Sequence, residues 1–381
     1  MTSGSGWPPV GVTAREIAVP RLTGSAGSAV VRAFIRDRFT ALGFTVLSQP
    51  FGVDIRPHDR NLRIALSLVG VGLATASTGT EMAALRLAGL LATLAGGALA
   101  AVTLRNGPIL LEGTCTENLV ARRRGLQPPA RVLVVAHHDS KSQNVSFVGR
   151  ILLTLLLTGS LALSAGLFLI GWPRTPWLAV ALATVTWAGA ASALALATMA
   201  SGNVSPGGLD NAGSVAVALR AAEAVGAEAF SPDVAIVLTG AEEQYLAGAR
   251  ALLKNGDATA RQPAFVINLD GVGGQGPMGV SGSSRLTALV LDRAVTLGVP
   301  MERLRTPLWM TTDAMAFARA GIPAVTLSSA RLSRSVLTIH GRGDTADHLC
   351  EDALVQATRL IASLCQSPPE WPPKQKGREP A

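Results

Sequence analysis

The sequence predicts an α/β domain with a buried central sheet, interrupted by two transmembrane helical hairpins. Two observations carry this. Three apolar runs, RVLVVAHHDS from Arg131, DVAIVLTGAEE from Asp233 and AFVINLD from Ala264, each stop abruptly on histidine or acid. Continuous Val, Ile and Leu suits strands covered on both faces, and open α/β sheets gather their reactive groups where such strands end. Elsewhere two pairs of long segments lose nearly all charge, and only 15% of the whole chain is charged, against about 25% in soluble domains. The α/β domain is therefore expected in three pieces, 1–60, 105–146 and 203–366, with hairpins at 61–104 and 147–202. The proline-rich tail at 367–381 is expected to be disordered.

Taken in order, Glu16 to Phe51 read as helix, turn and strand. Val30, Val31, Phe34, Ile35, Phe39 and Leu42 recur at helical spacing, Gly43 ends the helix, and Phe44 to Phe51 look extended. The loop RLTGSAGS precedes the helix. From Ile64 the texture becomes apolar. Met82 to Leu104 is long enough to cross a bilayer, whose core needs about 20 helical residues, and Arg86 is its one charge. Ile64 to Ser77 is marginal on length, a tilted or interfacial partner across the short link at 78–81. Asn118 to Ala121 returns to strand, and Arg122 to Gly125 reads as a solvated basic turn. The second pair, Ile151 to Trp172 and Trp177 to Met199, is uncharged throughout, and its two tryptophans bracket the PRTP turn as interfacial residues do.

After Gly202, strands are expected at 234–238, 265–269 and 324–327, and helices at 212–224, 243–254, 285–297 and 352–364. The net charge of +8 belongs to scattered or membrane-flanking arginines and so does not predict nucleic-acid binding. Three cysteines, without metal-ligand spacing, fit a reducing compartment. The N-terminus lacks the pattern of a cleavable signal.

Chemistry concentrates at five stations. His137 closes its strand, and Asp139, two residues on, can hold the other ring nitrogen of a metal-binding imidazole. Asp210 sits in a glycine loop that runs into a helix, where it could instead be an N-cap. Glu242 and Glu243 are adjacent acids at a strand end, costly to bury together without a cation; one can bind a metal while the other serves as base. Asp270 ends the AFVINL strand. His340 lies four residues before Asp344, a candidate supporting partner. Of five histidines in the chain, three fall in these motifs. The segment GVGGQG at 271–276 mimics a dinucleotide fingerprint, but the strand-like MGVSG follows it where a helix is required. No G-x-S-x-G elbow occurs.

In this order AHHDS, GLDNAGS, LTGAEEQ, INLDGVG and IHGRGDT resemble the co-catalytic zinc aminopeptidase family, which includes bacterial leucyl aminopeptidases, aminopeptidase Y, glutamate carboxypeptidases and glutaminyl cyclases. RLTGSAGS, Asn118, Thr312 with Asp313, and GIPA at 321–324 extend the likeness over nearly all the non-membrane sequence. The resemblance implies a three-layer α/β/α zinc-peptidase domain with a mixed central sheet, holding two zinc ions. His137 and Asp270 would bind one, Glu243 and His340 the other, and Asp210 would bridge them. Glu242 would be general base to a metal-bridged hydroxide, and Asp139 would orient His137. Leu209, Tyr245 and Ala314 depart from the family pattern at positions that are not ligands, where an aspartate, a glycine and a histidine are common.

The expected activity is removal of N-terminal residues from peptides. Two alternatives stand beside it: a glutaminyl cyclase-like acyltransferase, which HHDSK also resembles, and a catalytically silent membrane scaffold. Arg56, Arg60, Arg63, Arg105, Arg122 to Arg124, Lys141 and Arg150 flank one membrane side, against Arg86 and Arg174 on the other. The positive-inside bias then places the catalytic domain in the cytoplasm, on a multi-pass inner-membrane protein. Oligomeric state is not readable.

Overall fold

The structure is a computed structural model and describes residues 9–78, 83–125, 130–170, 175–255, 263–305, 311–331 and 334–370. Its main elements, in chain order, begin with helices α1 (Val10–Ile17) and α2 (Ala26–Ala41), strand β1 (Phe44–Asp54), and helices α3 (Arg56–Thr78) and α4 (Ala83–Asn106). Strands β2 (Ile109–Arg123) and β3 (Val132–His137) and helices α5 (Phe147–Ile170), α6 (Pro176–Ala197) and α7 (Gly213–Val225) follow. Then come β4 (Val234–Thr239), α8 (Ala247–Asn255), β5 (Phe265–Leu269), β6 (Met278–Gly282), α9 (Ser284–Thr296), β7 (Met301–Arg303), α10 (Asp313–Arg319), β8 (Ala324–Ser329) and α11 (Glu351–Gln366). The chain divides into two compact units. One comprises Met1–Gly52, Glu112–Ser142 and Asn203–Ala381; the other comprises Val53–Leu111 and Gln143–Gly202.

The first unit is built on a mixed eight-stranded sheet in the order β1-β2-β4-β3-β5-β8-β6-β7. Strands β4, β3, β5 and β8 are mutually parallel, whereas β2 runs antiparallel to β4 and β6 antiparallel to β8. Every residue of β3, β4 and β5 is buried, which is why these strands are continuous apolar runs rather than alternating ones. Successive side chains of a strand point to opposite faces. Val132, Val134 and Ala136 accordingly join a core shared with α1, α2, α7, α9 and α11, while Leu133 and Val135 join a second core with α8 and α10. Helices thus cover both faces. The register pairs His137 with Thr239, and Ala136 with both Leu238 and Leu269. The carboxyl ends of β3, β4 and β5 therefore stop level, and whatever follows them converges.

Two local expectations are corrected. The solvated basic turn expected over Arg122 to Gly125 is confined to Arg124 and Gly125: β2 runs on through Arg123, and Arg122 is buried. Antiparallel pairing of Leu119 to Ala121 with β4 holds the strand extended, and an arginine stem can lie along a sheet. The helix expected from Glu243 starts only at Ala247, because Ala241, Tyr245 and Leu246 have φ of 55°, 63° and 63°. A left-handed backbone costs about 1–2 kcal/mol per non-glycine residue. Tyr245, a non-glycine residue at φ 63°, bears that cost directly.

The second unit consists of α3, α4, α5 and α6. Three of these, over Ala84–Asn106, Phe147–Leu167 and Pro176–Ala197, are long and apolar enough to cross a membrane. The fourth, α3, opens with Arg56, Asp59, Arg60 and Arg63, so its apolar part is short. The helices pack through small residues. A Cβ added at Gly89 of α4 would lie 2.6 Å from the Ala76 nitrogen and the Gly72 carbonyl of α3, and one added at Gly189 of α6 would collide with Ser160 of α5. Close backbone approach of this kind is how helices associate where hydrophobic burial supplies no driving force. Leu91, Leu94, Leu152, Leu155, Val180 and Val185 are exposed on the outer faces. The link at 79–82, Trp172 with Arg174, and the tail beyond 370 lie outside the described residues.

Candidate metal centre

His137, the last residue of β3, is 2% exposed and turns its Nε2 toward three carboxylates: Asp210 Oδ1 at 3.0 Å, Asp270 Oδ1 at 3.8 Å and Glu242 Oε2 at 4.0 Å. His340 places its Nε2 3.1 Å from Asp210 Oδ2 and 3.1 Å from Glu243 Oε1. Asp210 therefore offers one oxygen to each imidazole. Two groups of ligand atoms result, each within 4.8 Å: His137, Asp210 and Asp270, and Asp210, Glu243 and His340. Glu242 belongs to neither.

The loops that bring these side chains together are tied from a distance. The Asp344 carboxylate accepts hydrogen bonds from the Leu209 nitrogen at 2.7 Å and the Asp210 nitrogen at 3.3 Å. Asp344 thus supports the loop of the shared aspartate rather than His340, the partner expected from sequence proximity. Asn211 spans the end of β5, donating to the Leu269 carbonyl and accepting from the Gly271 nitrogen on either side of Asp270. The Asp210–Asn211 peptide bond is cis. Gly207 and Gly208 are required here: Gly207 has φ 61°, and a Cβ on Gly208 would lie 2.6 Å from the Thr345 carbonyl oxygen.

Asp139 is fully buried and does more than face His137. Its carboxylate accepts from the Glu242 nitrogen at 3.1 Å, the Glu243 nitrogen at 3.3 Å and the Thr23 hydroxyl at 3.2 Å. His137 Nδ1 lies 3.2 Å from the Asp139 backbone carbonyl and 3.6 Å from its carboxylate, so the carbonyl is the closer acceptor for a proton there. His138 faces elsewhere, with its Nε2 2.9 Å from the Glu117 carbonyl. Thr312 and Asp313 contact Thr326 and Thr239 respectively.

Two charged residues that sequence reasoning did not single out for the site shape it. Arg21 is fully buried and donates to the His138, Val19, Pro206 and Gly207 carbonyls, joining the loop after β3 to the loop before Asp210. Burial lowers its pKa to about 10 despite Asp139 and Asp344 nearby. Lys141 pairs with Glu243 Oε2 at 2.9 Å. Adjacency to HHDS was its only sequence signal, and RLTGSAGS was the only signal for Arg21.

The electrostatics call for positive charge. Burial disfavours protonation of His137, yet Glu242, Asp139, Asp210 and Asp270 override it and hold its pKa well above the ordinary value. His340 is raised likewise, with Glu243 and Asp210 overcoming burial. Burial works against ionisation of Asp210, but the two imidazoles hold it well below the usual carboxylate range. Glu243, buried too, is brought down to about 2 by His340 and Lys141. Glu242 differs: burial first, then Asp270, Glu243 and Asp313, push it well above the glutamate range against the pull of His137. His137 Nε2 and Glu243 Oε1 are buried with no hydrogen-bond partner. Unpartnered buried donor atoms, together with two imidazoles and three carboxylates around them, suit dications such as zinc.

Residues 184–365 match the model of Peptidase family M28. Among solved structures, a leucine aminopeptidase precursor from Bacteroides thetaiotaomicron is 13% identical with TM-score 0.57, over 94% of this chain and 96% of that one. Glutaminyl cyclase of the same organism, bound to N-acetylhistamine, is 13% identical with TM-score 0.56, over 94% and 97%. An aminopeptidase from Aneurinibacillus sp. strain AM-1 is 15% identical with TM-score 0.53, over 93% of each chain. At these identities the likeness is one of fold. No curated protein matches the chain by sequence.

Proposed function

We propose, from the premise that this chain carries a peptidase family M28 domain and is a zinc metallopeptidase, that it is an aminopeptidase cleaving the N-terminal residue from peptides. The carrying observation is the pair of three-residue ligand groups sharing Asp210, with Glu242 beside them and outside both. His137 and Asp270 would hold one zinc ion, Glu243 and His340 the second, and Asp210 both. Zinc held by these residues would supply Lewis acidity toward the scissile carbonyl and toward the attacking water.

The chain's own groups do the rest. Glu242, buried beside the two ligand groups with its carboxyl pushed above the glutamate range by that burial, takes the proton of the attacking water and passes it to the leaving amine, the work of a positioned general base. Asp139 fixes the backbone that carries Glu242 and Glu243, so base and ligand move as one. The Asp139 carbonyl holds His137 as the Nδ1–H tautomer, leaving Nε2 to coordinate. Asp344 and Asn211 hold the Asp210 loop at the ends of the strands.

A cyclase reading is supported by the likeness to the Bacteroides glutaminyl cyclase and by Lys141. Aminoacyl chromogenic amides and a glutaminyl peptide, each offered to the purified full chain with and without a chelator, separate the two. Chelator-sensitive amide hydrolysis is the expected result. Cyclisation without hydrolysis would replace this reading, and no turnover of either substrate in zinc-loaded protein would favour a silent scaffold.

The three long apolar helices support a membrane protein. We place α3 with α4, and α5 with α6, as two transmembrane hairpins in the inner membrane, with the catalytic unit cytoplasmic. Arg56, Arg60, Arg63, Arg105 and Arg150 support that orientation. Cys115 is exposed, and its labelling from the outside of intact cells would reverse it.

A further inference from the structure

The two ligand groups are not electrostatically equal. Asp210 divides its oxygens between the two imidazoles. Asp270 has no Lys or Arg within ion-pair distance among the described residues. Glu243 does: the Lys141 ammonium lies 2.9 Å from Oε2 and donates to the Glu243 backbone carbonyl at 3.2 Å. The same cation thus straps both the side chain and the main chain of one ligand. Lys141 is 14% exposed and Glu243 4%, so water screens the pair little. What remains to Glu243 is Oε1, buried without a hydrogen-bond partner and 3.1 Å from His340 Nε2.

We propose that Lys141 makes the two metal sites unequal: it restricts Glu243 to one donor oxygen and sets a fixed positive charge against the dication held by Glu243 and His340. The ion at His137 and Asp270 is then the tight one, and the ion at His340 and Glu243 exchanges. This rests on the two-zinc reading above but adds an order of binding and the residue that sets it. A carboxylate with both oxygens available can coordinate through either or both, and binds a cation without a competing charge. One whose second oxygen is committed to an ammonium can do neither. Like charges in a poorly screened site repel strongly, and supporting partners of metal ligands commonly shift affinity by about 10-fold to 100-fold.

The experiment is titration of Zn2+ into chelator-stripped, full-length protein against a competing chromogenic chelator, read as binding rather than activity. The parent is expected to bind in two steps separated by at least about tenfold, with His340→Ala removing the weaker step. Lys141→Met should tighten the weaker step by about tenfold or more while leaving the tighter one within about threefold. Lys141→Gln, which keeps a donor to Oε2 without the charge, should act as Met does and serves if the Met variant does not fold. Lys141→Arg keeps the cation and should keep the gap. Equal affinities in the parent, or unchanged affinities in both Lys141→Met and Lys141→Gln, would overturn this inference and leave the proposed function standing. Weakening of the second site in those variants would also overturn it, since Lys141 would then be needed to hold Glu243 in place. A parent that binds no zinc would overturn both.

Discussion

Replacement of Glu242 by Gln tests the division of labour between two adjacent glutamates. The substitution keeps length and planarity and removes only the ability to accept a proton. A positioned base contributes about 10²-fold to 10⁴-fold, or roughly 2.7–5.5 kcal/mol of barrier. The surroundings place this case in the upper half of that range. Glu242 is 6% exposed, so bulk water is poorly placed to substitute for it. Its carboxylate stands 4.0 Å from His137 Nε2, close enough to share a water with an ion held there. Its backbone nitrogen is held by Asp139 at 3.1 Å, so the amide would sit where the acid sat. Turnover of an aminoacyl chromogenic amide is expected to fall about 10³-fold to 10⁴-fold, with KM within about threefold and zinc content unchanged. Metal analysis on the assayed sample separates base from ligand. Turnover within about tenfold of the parent would refute the assignment. Asp344 would be a poor substitute, because its carboxylate is already engaged by the Leu209 and Asp210 nitrogens.

Three further outcomes follow from the same geometry. His340→Ala should retain one zinc ion per chain and lose measurable turnover, which elemental analysis and the amide assay read directly; two retained ions would remove His340 from the ligand set. Asp139→Asn presents an amide donor toward one of the Glu242 and Glu243 nitrogens, so one charge-assisted hydrogen bond worth roughly 1.5–3 kcal/mol is lost. A fall in kcat/KM of about 10-fold to 100-fold is expected, and a variant equal to the parent would show that Asp139 does not position the base. Asp313 is raised by burial from 3.8 to about 7. An acid whose folded pKa lies above its unfolded value lowers stability as pH rises from the unfolded value through the folded one. Chelator-stripped parent should therefore lose thermal stability between about pH 4 and about pH 7 by more than Asp313→Asn does. Identical pH slopes in the two proteins would rule this out.

How much of this was legible beforehand depends on the range of each interaction. The α/β class and the positions of the central strands are written locally, because a strand buried on both faces must be a continuous apolar run and its polar terminus marks the sheet edge. RVLVVAHHDS, DVAIVLTGAEE and AFVINLD each carry that signal, and with it His137, Glu242, Glu243 and Asp270. The apolar lengths of α4, α5 and α6 are legible for the same reason. Strand register, in contrast, decides which of two adjacent histidines faces the cluster: pairing of His137 with Thr239 turns His137 inward and leaves His138 to the Glu117 carbonyl. Sequence proximity suggested Asp344 for His340, while the fold gives it to the Asp210 loop 134 residues away. The left-handed turn at Tyr245 and Leu246 runs against local preference and is closed by the Leu246 and Ala247 nitrogens donating to the Glu242 and Ala241 carbonyls. Arg21 and Lys141 leave the least trace in the chain. Their partners lie up to 186 and 102 residues away, and a buried charge is tolerated only where tertiary structure has already assembled the groups that satisfy it. Periodicity determines what is apolar and where strands end, whereas contacts across a hundred residues decide which charge meets which.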